Sequence, residues 1–194
     1  MTQLVVAIDV GTSGVRAMLF DATGAALSKA YEEFDSIFPS PSWVEQEAPN
    51  WWTTNCKVIG RMMSAGPFDP ADIAAVSVTN QRETVVPIDE SGRPLRRAIV
   101  WQDRRTVPQC DRIRGAVPVE EIYRITGLTV DPYFTAPKIL WIKEHEPELF
   151  NATYKFLLVH DFVVFKMTGA TVTDYSNASR SMWCDIGRAE GSGR

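Results

Sequence analysis

The densest run of chemistry-bearing residues stands near the start of the chain: Ile8-Asp9-Val10-Gly11-Thr12-Ser13-Gly14-Val15-Arg16. The apolar runs 4–8 and 15–20 on either side read as buried β-strands, so the link between them is a tight, hydroxyl-bearing turn. Such a turn points successive backbone N–H groups, with Thr12, Ser13 and the Gly14 backbone, into one concavity that suits phosphate oxygens. Asp9, at a strand end, can hold a hydrated Mg²⁺ that bridges phosphates. Arg16 adds a permanent charge with fork geometry. Short Gly/Ser turns are also common as plain hairpins, so this turn gains its weight from the clusters downstream.

Three later clusters fit the same chemistry. Asn80-Gln81-Arg82-Glu83 comes directly after an apolar run. An Arg beside a Glu can serve both sides of a hydroxyl, the guanidinium donating and the carboxylate accepting; the plain alternative is a solvated ion pair worth little. Trp101-Gln102-Asp103-Arg104-Arg105 has the same placement. There Trp101 offers an apolar wall for a carbon backbone, while Gln102 and Asp103 can read hydroxyls. Its alternative, a core Trp before a basic helix start, sets two Arg against the helix dipole. Asp131-Pro132-Tyr133-Phe134 is a rigid turn presenting a phenol, a weak signal alone.

The elements that must position these clusters are read from periodicity. Residues 25–32 read as a third strand entered through Gly24, so three antiparallel strands open the chain as a meander. Asn50 is the candidate N-cap for a helix in which Trp52, Cys56, Ile59 and Met63 keep helical spacing, with Trp51 and Trp52 as core packing. Strands are expected at 73–79, 84–88, 98–101 and 155–159. Helices are expected at 103–114, at 136–145 with Pro137 in the first turn, and at 161–167. Residues 187–194 carry no apolar periodicity and read as a flexible tail.

The 194 residues, 45% hydrophobic and 23% charged, are ordinary globular values for one domain with a sizeable core or a piece of a larger protein. A net charge of −4 argues against a nucleic-acid surface. No apolar run reaches membrane-spanning length, and no signal-peptide pattern opens the chain. Cys56, Cys110 and Cys184 lack metal-type spacing, which favours a reduced, cytoplasmic setting. His145 and His160 are isolated and read as structural.

Together these segments resemble the FGGY family of carbohydrate kinases, and most of all its glycerol-phosphorylating members. The resemblance is carried by Asn80-Gln81-Arg82-Glu83-Thr84, by Ala98-Ile99-Val100-Trp101-Gln102, by the whole stretch from Tyr133-Phe134-Thr135-Ala136-Pro137-Lys138 to His145, and by Thr173-Asp174-Tyr175-Ser176-Asn177-Ala178-Ser179-Arg180. It runs from residue 5 to about 186, with the motifs in the family's order. It implies an actin-like, ribonuclease-H-like α/β domain, with a five-stranded mixed sheet flanked by helices, over residues 1–186.

The resemblance also implies roles. Arg82, Glu83 and Tyr133 match polyol-contacting positions, with Trp101 packing on the carbons and Gln102 beside it. Asp9 matches the Mg²⁺-linked carboxylate, and Thr12, Ser13, Gly14 and Arg16 the nucleotide-phosphate turn. The implied cofactors are ATP and Mg²⁺. The implied reaction is phosphorylation of a primary hydroxyl on a small polyol or sugar, in a cytoplasmic protein able to form homo-oligomers. Where glycerol-type members carry Thr-Thr-Ser-Ser after the first Gly, Thr12-Ser13-Gly14-Val15 is closer to the sugar kinases. A pentose kinase of xylulose or ribulose type is therefore the alternative, and a non-catalytic actin-like binding domain the rival from another class. The family's general-base aspartate and second, nucleotide-binding domain have no counterpart in this sequence, so the chain by itself is expected to show no turnover.

Overall fold

A computed structural model describes residues 3–188 and 190–191. Alternation of buried and outward residues builds β1 (Leu4–Val10), which turns at Gly11 into β2 (Gly14–Asp21) and then β3 (Ala26–Glu33). A two-residue β4 (Glu45–Gln46) leads into the long α1 (Ala48–Ser64), then β5 (Ile73–Asn80), β6 (Val85–Ile88) and β7 (Ala98–Ile99). Four helices come next: α2 (Val107–Ala116), α3 (Val119–Thr126), α4 (Thr135–His145) and α5 (Pro147–Ala152). The chain continues through β8 (Lys155–Leu158), α6 (Val159–Thr168) and α7 (Tyr175–Ala178) into the pair β9 (Cys184–Asp185) and β10 (Glu190–Gly191).

The expected meander is present, β1–β2–β3 being antiparallel throughout, and β5 adds parallel to β1. The resulting mixed sheet, in the order β3-β2-β1-β5, has four strands where five were expected. The strands β4, β6, β7 and β8 form a separate antiparallel sheet, in the order β4-β7-β6-β8. Leu4, Val6, Ile8 and Val10 alternate inward with Val15, Ala17 and Leu19. They bury against Trp51, Val58 and Met62 of α1 and Phe162 and Val163 of α6. The opposite alternation, Asp9 and Arg16 included, faces outward. Strand period two thus places the hydrophobic set on one face and the polar pair, directly opposed across β1 and β2, on the other.

Several boundaries differ from the sequence reading. Helix α1 begins at Ala48 after Glu47, not after Asn50. Its innermost row is Trp51, Asn55, Val58 and Met62, with Trp52, Ile59 and Met63 on the shoulder and Cys56 exposed. Asn55 hid this row: it is buried because its amide donates to the Trp51 carbonyl at 2.9 Å. Helix α2 begins at Val107 rather than 103, because Asp103 and Arg105 are drawn into a buried cluster. Asp103 accepts from the Val44 amide (2.6 Å) and pairs with Arg105, which also meets Glu45 (both 2.8 Å). The Arg105 guanidinium lies 3.7 Å above the Trp43 ring. These charges are buried and paired, so Asp103 is occupied structurally and is not a hydroxyl reader. Of the expected tail, 187–188 lie in the turn and 190–191 form the returning strand of the β9–β10 hairpin. Residues 189 and 192–194 fall outside the described residues. Among the described residues no helix is long and apolar enough to cross a membrane.

Candidate functional site

The turn after β1 is closed by the Gly11 amide donating to the Gly14 carbonyl at 2.9 Å. Thr12 is half-buried at its tip and Ser13 is exposed, so the turn has an open face. Asp9 and Arg16 lie exposed at its base. Arg16 also stacks over Tyr31 of β3, 5.6 Å from the ring centroid. Gly14 is placed otherwise. It is buried within β2, and a Cβ there would stand 2.4 Å from the Glu32 carbonyl oxygen and 2.8 Å from the Tyr31 hydroxyl. Its lack of a side chain answers to the close approach of β3, which makes it a residue of the sheet more than of the concavity.

A chain of side-chain hydrogen bonds ties this turn to the later clusters. Gln46 donates to the Thr12 carbonyl at 2.8 Å and accepts from Gln81 at 2.7 Å and from the buried Trp51 indole at 3.1 Å. Gln81 in turn meets the Thr84 hydroxyl at 3.3 Å, and Thr84 accepts from the Trp101 amide at 3.1 Å. The loop closes where the Trp101 indole N–H donates to the Thr12 hydroxyl at 3.0 Å. Buried polar groups that are all partnered hold a unique geometry.

Trp101 meets Tyr133 edge to face, ring centroids 5.4 Å apart. Tyr133 stands where the 131–134 turn enters α4. That turn is held from beneath by Lys138, fully buried, whose ammonium donates to the carbonyls of Pro132 (2.9 Å), Tyr133 (2.6 Å) and Phe134 (3.0 Å). Burial pushes the Lys138 ammonium down to about 7, opposed by the charges of Asp103 and Glu83. Glu83 is 1% exposed and has a positive φ of 65°. A bulky residue in this left-handed region is strained. Its carbonyl accepts from the Thr135 hydroxyl at 3.2 Å, and its carboxylate accepts from Arg180 Nε at 2.8 Å.

Glu83, Trp101, Tyr133 and Thr12 are therefore brought together. Arg82 is not part of their contacts among the described residues. The two neighbours lie in different surroundings, Glu83 inward and Arg82 in an open groove of 410 Å³. That groove is also lined by Asn80, His160, Asp174 and Asn177. Gln102 is exposed on the turn after β7. A larger concavity of 1010 Å³, lined mainly by apolar side chains such as Phe156, Val172 and Trp183, contains none of the candidate residues.

Three residues escaped the sequence reading. His160, taken as structural, reaches Asp161 and Asp174 with Nδ1 at 3.3 and 3.4 Å. Burial raises the Asp161 carboxyl, whereas Asp174, though burial opposes it, is held below the usual range by hydrogen bonds from Asn177. Asn177 also accepts from the Asn80 amide at 3.1 Å. Arg180 sits on Glu83. Both Asn177 and Arg180 belong to the segment 173–180, whose motif was visible but whose partners, 97 positions away, were not.

The mixed sheet thus carries a hydroxyl-bearing turn at one strand end, joined through the Trp101 indole to the Tyr133 phenol ring. The family model described as FGGY family of carbohydrate kinases, N-terminal domain, matches residues 4–190, and the chain belongs to this family. It is 38% identical over 191 residues to a glycerol kinase of Janthinobacterium sp. (strain Marseille), covering 96% of this chain and 38% of the relative. It is 40% identical over 188 residues to a glycerol kinase of Enterococcus faecalis (strain ATCC 700802 / V583), covering 94% and 38%. A solved xyloylose kinase from Brucella ovis superposes with a TM-score of 0.93 at 29% identity, covering 98% of this chain and 39% of that one. The chain thus spans about 38% of the length of the curated relatives it matches.

Proposed function

We propose that this chain is the substrate-binding domain of a kinase that transfers the γ-phosphoryl of ATP to a primary hydroxyl of glycerol or a related polyol. The observation that carries the reading is Glu83, a buried carboxylate held in a strained backbone conformation and joined through Arg180 to the Tyr133 ring. Strain of this kind persists only where the surroundings over-determine it, and it clusters at functional sites. In this reading Glu83 accepts a substrate hydroxyl and Trp101 with Tyr133 covers the carbon chain, while Arg82, in the separate groove with His160 and Asp174, is not part of that wall. Gln102 stands at the rim.

Thr12, Ser13 and Arg16 then face the phosphoryl group. Trp101 takes part here as well: an indole only donates, so the Thr12 oxygen accepts from it and the Thr12 hydrogen is left for a phosphate oxygen. Asp9, exposed and with no cluster of three acidic, His or Cys ligands among the described residues, fits the one-carboxylate pattern in which Mg²⁺ keeps most of its waters and phosphates supply the other bonds. Bound there with ATP, Mg²⁺ would neutralise phosphate charge. The likeness to a solved xyloylose kinase supports the pentulose alternative.

The test is titration of the 194-residue chain with glycerol, D-xylulose and propane-1,3-diol. Saturable binding of glycerol or xylulose, weakened but still measurable in Glu83→Gln while the fold is kept, supports the reading. Indifference of that binding to both Glu83→Gln and Trp101→Ala sinks it.

A further inference from the structure

Glu83 raises a problem that the candidate wall alone does not solve. A carboxylate that is 1% exposed needs a charged or multiply hydrogen-bonded partner, since an unpaired buried charge is costly. Arg82 turns outward, and neither Trp101 nor Tyr133 carries a cation. The partner is Arg180, whose Nε–H donates to Glu83 Oε1 at 2.8 Å. The same guanidinium lies 5.7 Å from the Tyr133 ring centroid and 5.0 Å from that of Phe134, so one planar cation touches both the acid and the aromatic of the wall. The hydrogen bond to Glu83 holds the Arg180 guanidinium above its ordinary range, and the Tyr133 phenol adds to this.

Arg180 is itself fixed in place. Its segment is tied at one end to β5, where Asn80 donates to Asn177 at 3.1 Å, and Asp174 accepts from the Asn177 backbone amide at 2.9 Å. At the other end the Ser181 carbonyl accepts from the Ala136 amide in the first turn of α4 at 2.9 Å. The segment therefore bridges the strand that precedes Glu83 and the helix entered just after Tyr133.

We propose that Arg180 is a positioning residue: it holds the Glu83 carboxylate and the Tyr133 ring in the arrangement that receives substrate hydroxyls, so that the 174–181 segment completes the substrate wall. This rests on the reading of that wall as a polyol site. Lysine would serve poorly, because it supplies the charge but not the planar face that lies against the two rings.

The experiment uses the 194-residue chain with and without ligand. In the free chain, the Glu83 carboxyl ¹³C signal and the Tyr133 ring signals are monitored in wild type, Arg180→Met and Arg180→Lys, with thermal unfolding as a check on folding. Arg180→Met is expected to displace both sets of signals, and Arg180→Lys to restore Glu83 but not Tyr133. Signals that stay put in Arg180→Met overturn the proposal, whatever any ligand does. With glycerol or D-xylulose, Arg180→Met is expected to weaken binding by about tenfold, and Arg180→Lys by less. Added to Glu83→Gln, the same change should cost little more, because the two residues act as one unit. Full additivity on that background overturns the role of Arg180 through Glu83. Displaced signals in Arg180→Met, with a wild-type chain that binds neither ligand, would uphold the positioning contact while refuting the polyol reading.

Discussion

The indole N–H of Trp101 donates to the hydroxyl oxygen of Thr12 at 3.0 Å, across 89 positions of sequence. One bond joins the wall proposed to cover a carbon backbone to the turn proposed to face phosphate. It also turns the Thr12 hydrogen away from the indole, since the oxygen accepts there. Trp101→Phe keeps the ring against Tyr133 but deletes this bond and leaves the Thr12 hydroxyl free to rotate. The expected loss of stability is about 1 kcal/mol, read from urea unfolding. Glycerol binding should change less than phosphate binding, measured by titration with each. A larger effect on glycerol than on phosphate would refute the linkage.

Lys138 gives the fold a dependence on pH. Its ammonium is pushed down to about 7 from an ordinary 10.5, so between these values the folded chain binds fewer protons than the unfolded one. Stability must then rise with pH across that window, the penalty being complete below about 7. Lys138→Met removes this contribution along with three hydrogen bonds to the 132–134 carbonyls. The expected outcome is a steeper rise in unfolding free energy for wild type than for Lys138→Met between about pH 7 and 8.5. Parallel slopes would show that the burial of Lys138 has no such consequence.

Gly14→Ala tests the sheet directly. Its Cβ would meet the backbone oxygen of Glu32 at 2.4 Å, and a backbone atom of a paired strand cannot swing aside as a side chain does. The expected cost is about 1–3 kcal/mol, measured by urea unfolding. A neutral substitution would indicate that β3 is loosely held. Gly11→Ala, whose added Cβ comes only within 3.4 Å of the Gly14 oxygen, should cost less.

Asp9→Asn should separate stability from chemistry. The side chain is exposed on the outward face of β1, so unfolding should move by no more than about 0.5 kcal/mol. Any tightening of ATP binding by Mg²⁺ should vanish in the variant. Titrating ATP with and without Mg²⁺ checks this, and an undiminished Mg²⁺ effect would place the metal elsewhere.

What the sequence determined by itself was local or periodic. The alternation Leu4, Val6, Ile8, Val10 opposite Val15, Ala17, Leu19 gives the hairpin and its inner face, because strand side chains repeat every two residues. The turn at 11–14 and the core role of Trp51 were legible in the same local pattern. The motif resemblance that grouped Arg82, Glu83, Trp101, Gln102 and Tyr133 could not report that Trp101 meets Tyr133 while Arg82 lies apart. Tertiary structure decided the rest. No spacing rule reports that Asn55 turns inward to bond Trp51, or that Asp103 and Arg105 are drawn to Glu45 and delay the start of α2. Nor does any rule report that Glu83 is buried on Arg180 while its neighbour Arg82 lines a separate groove. Arg180 on Glu83, Trp101 on Thr12 and His160 between two aspartates are contacts between distant segments. They form only when β5, α4 and α6 have packed, because a hydrogen bond needs its partners within about 3 Å and sequence distance says nothing about that.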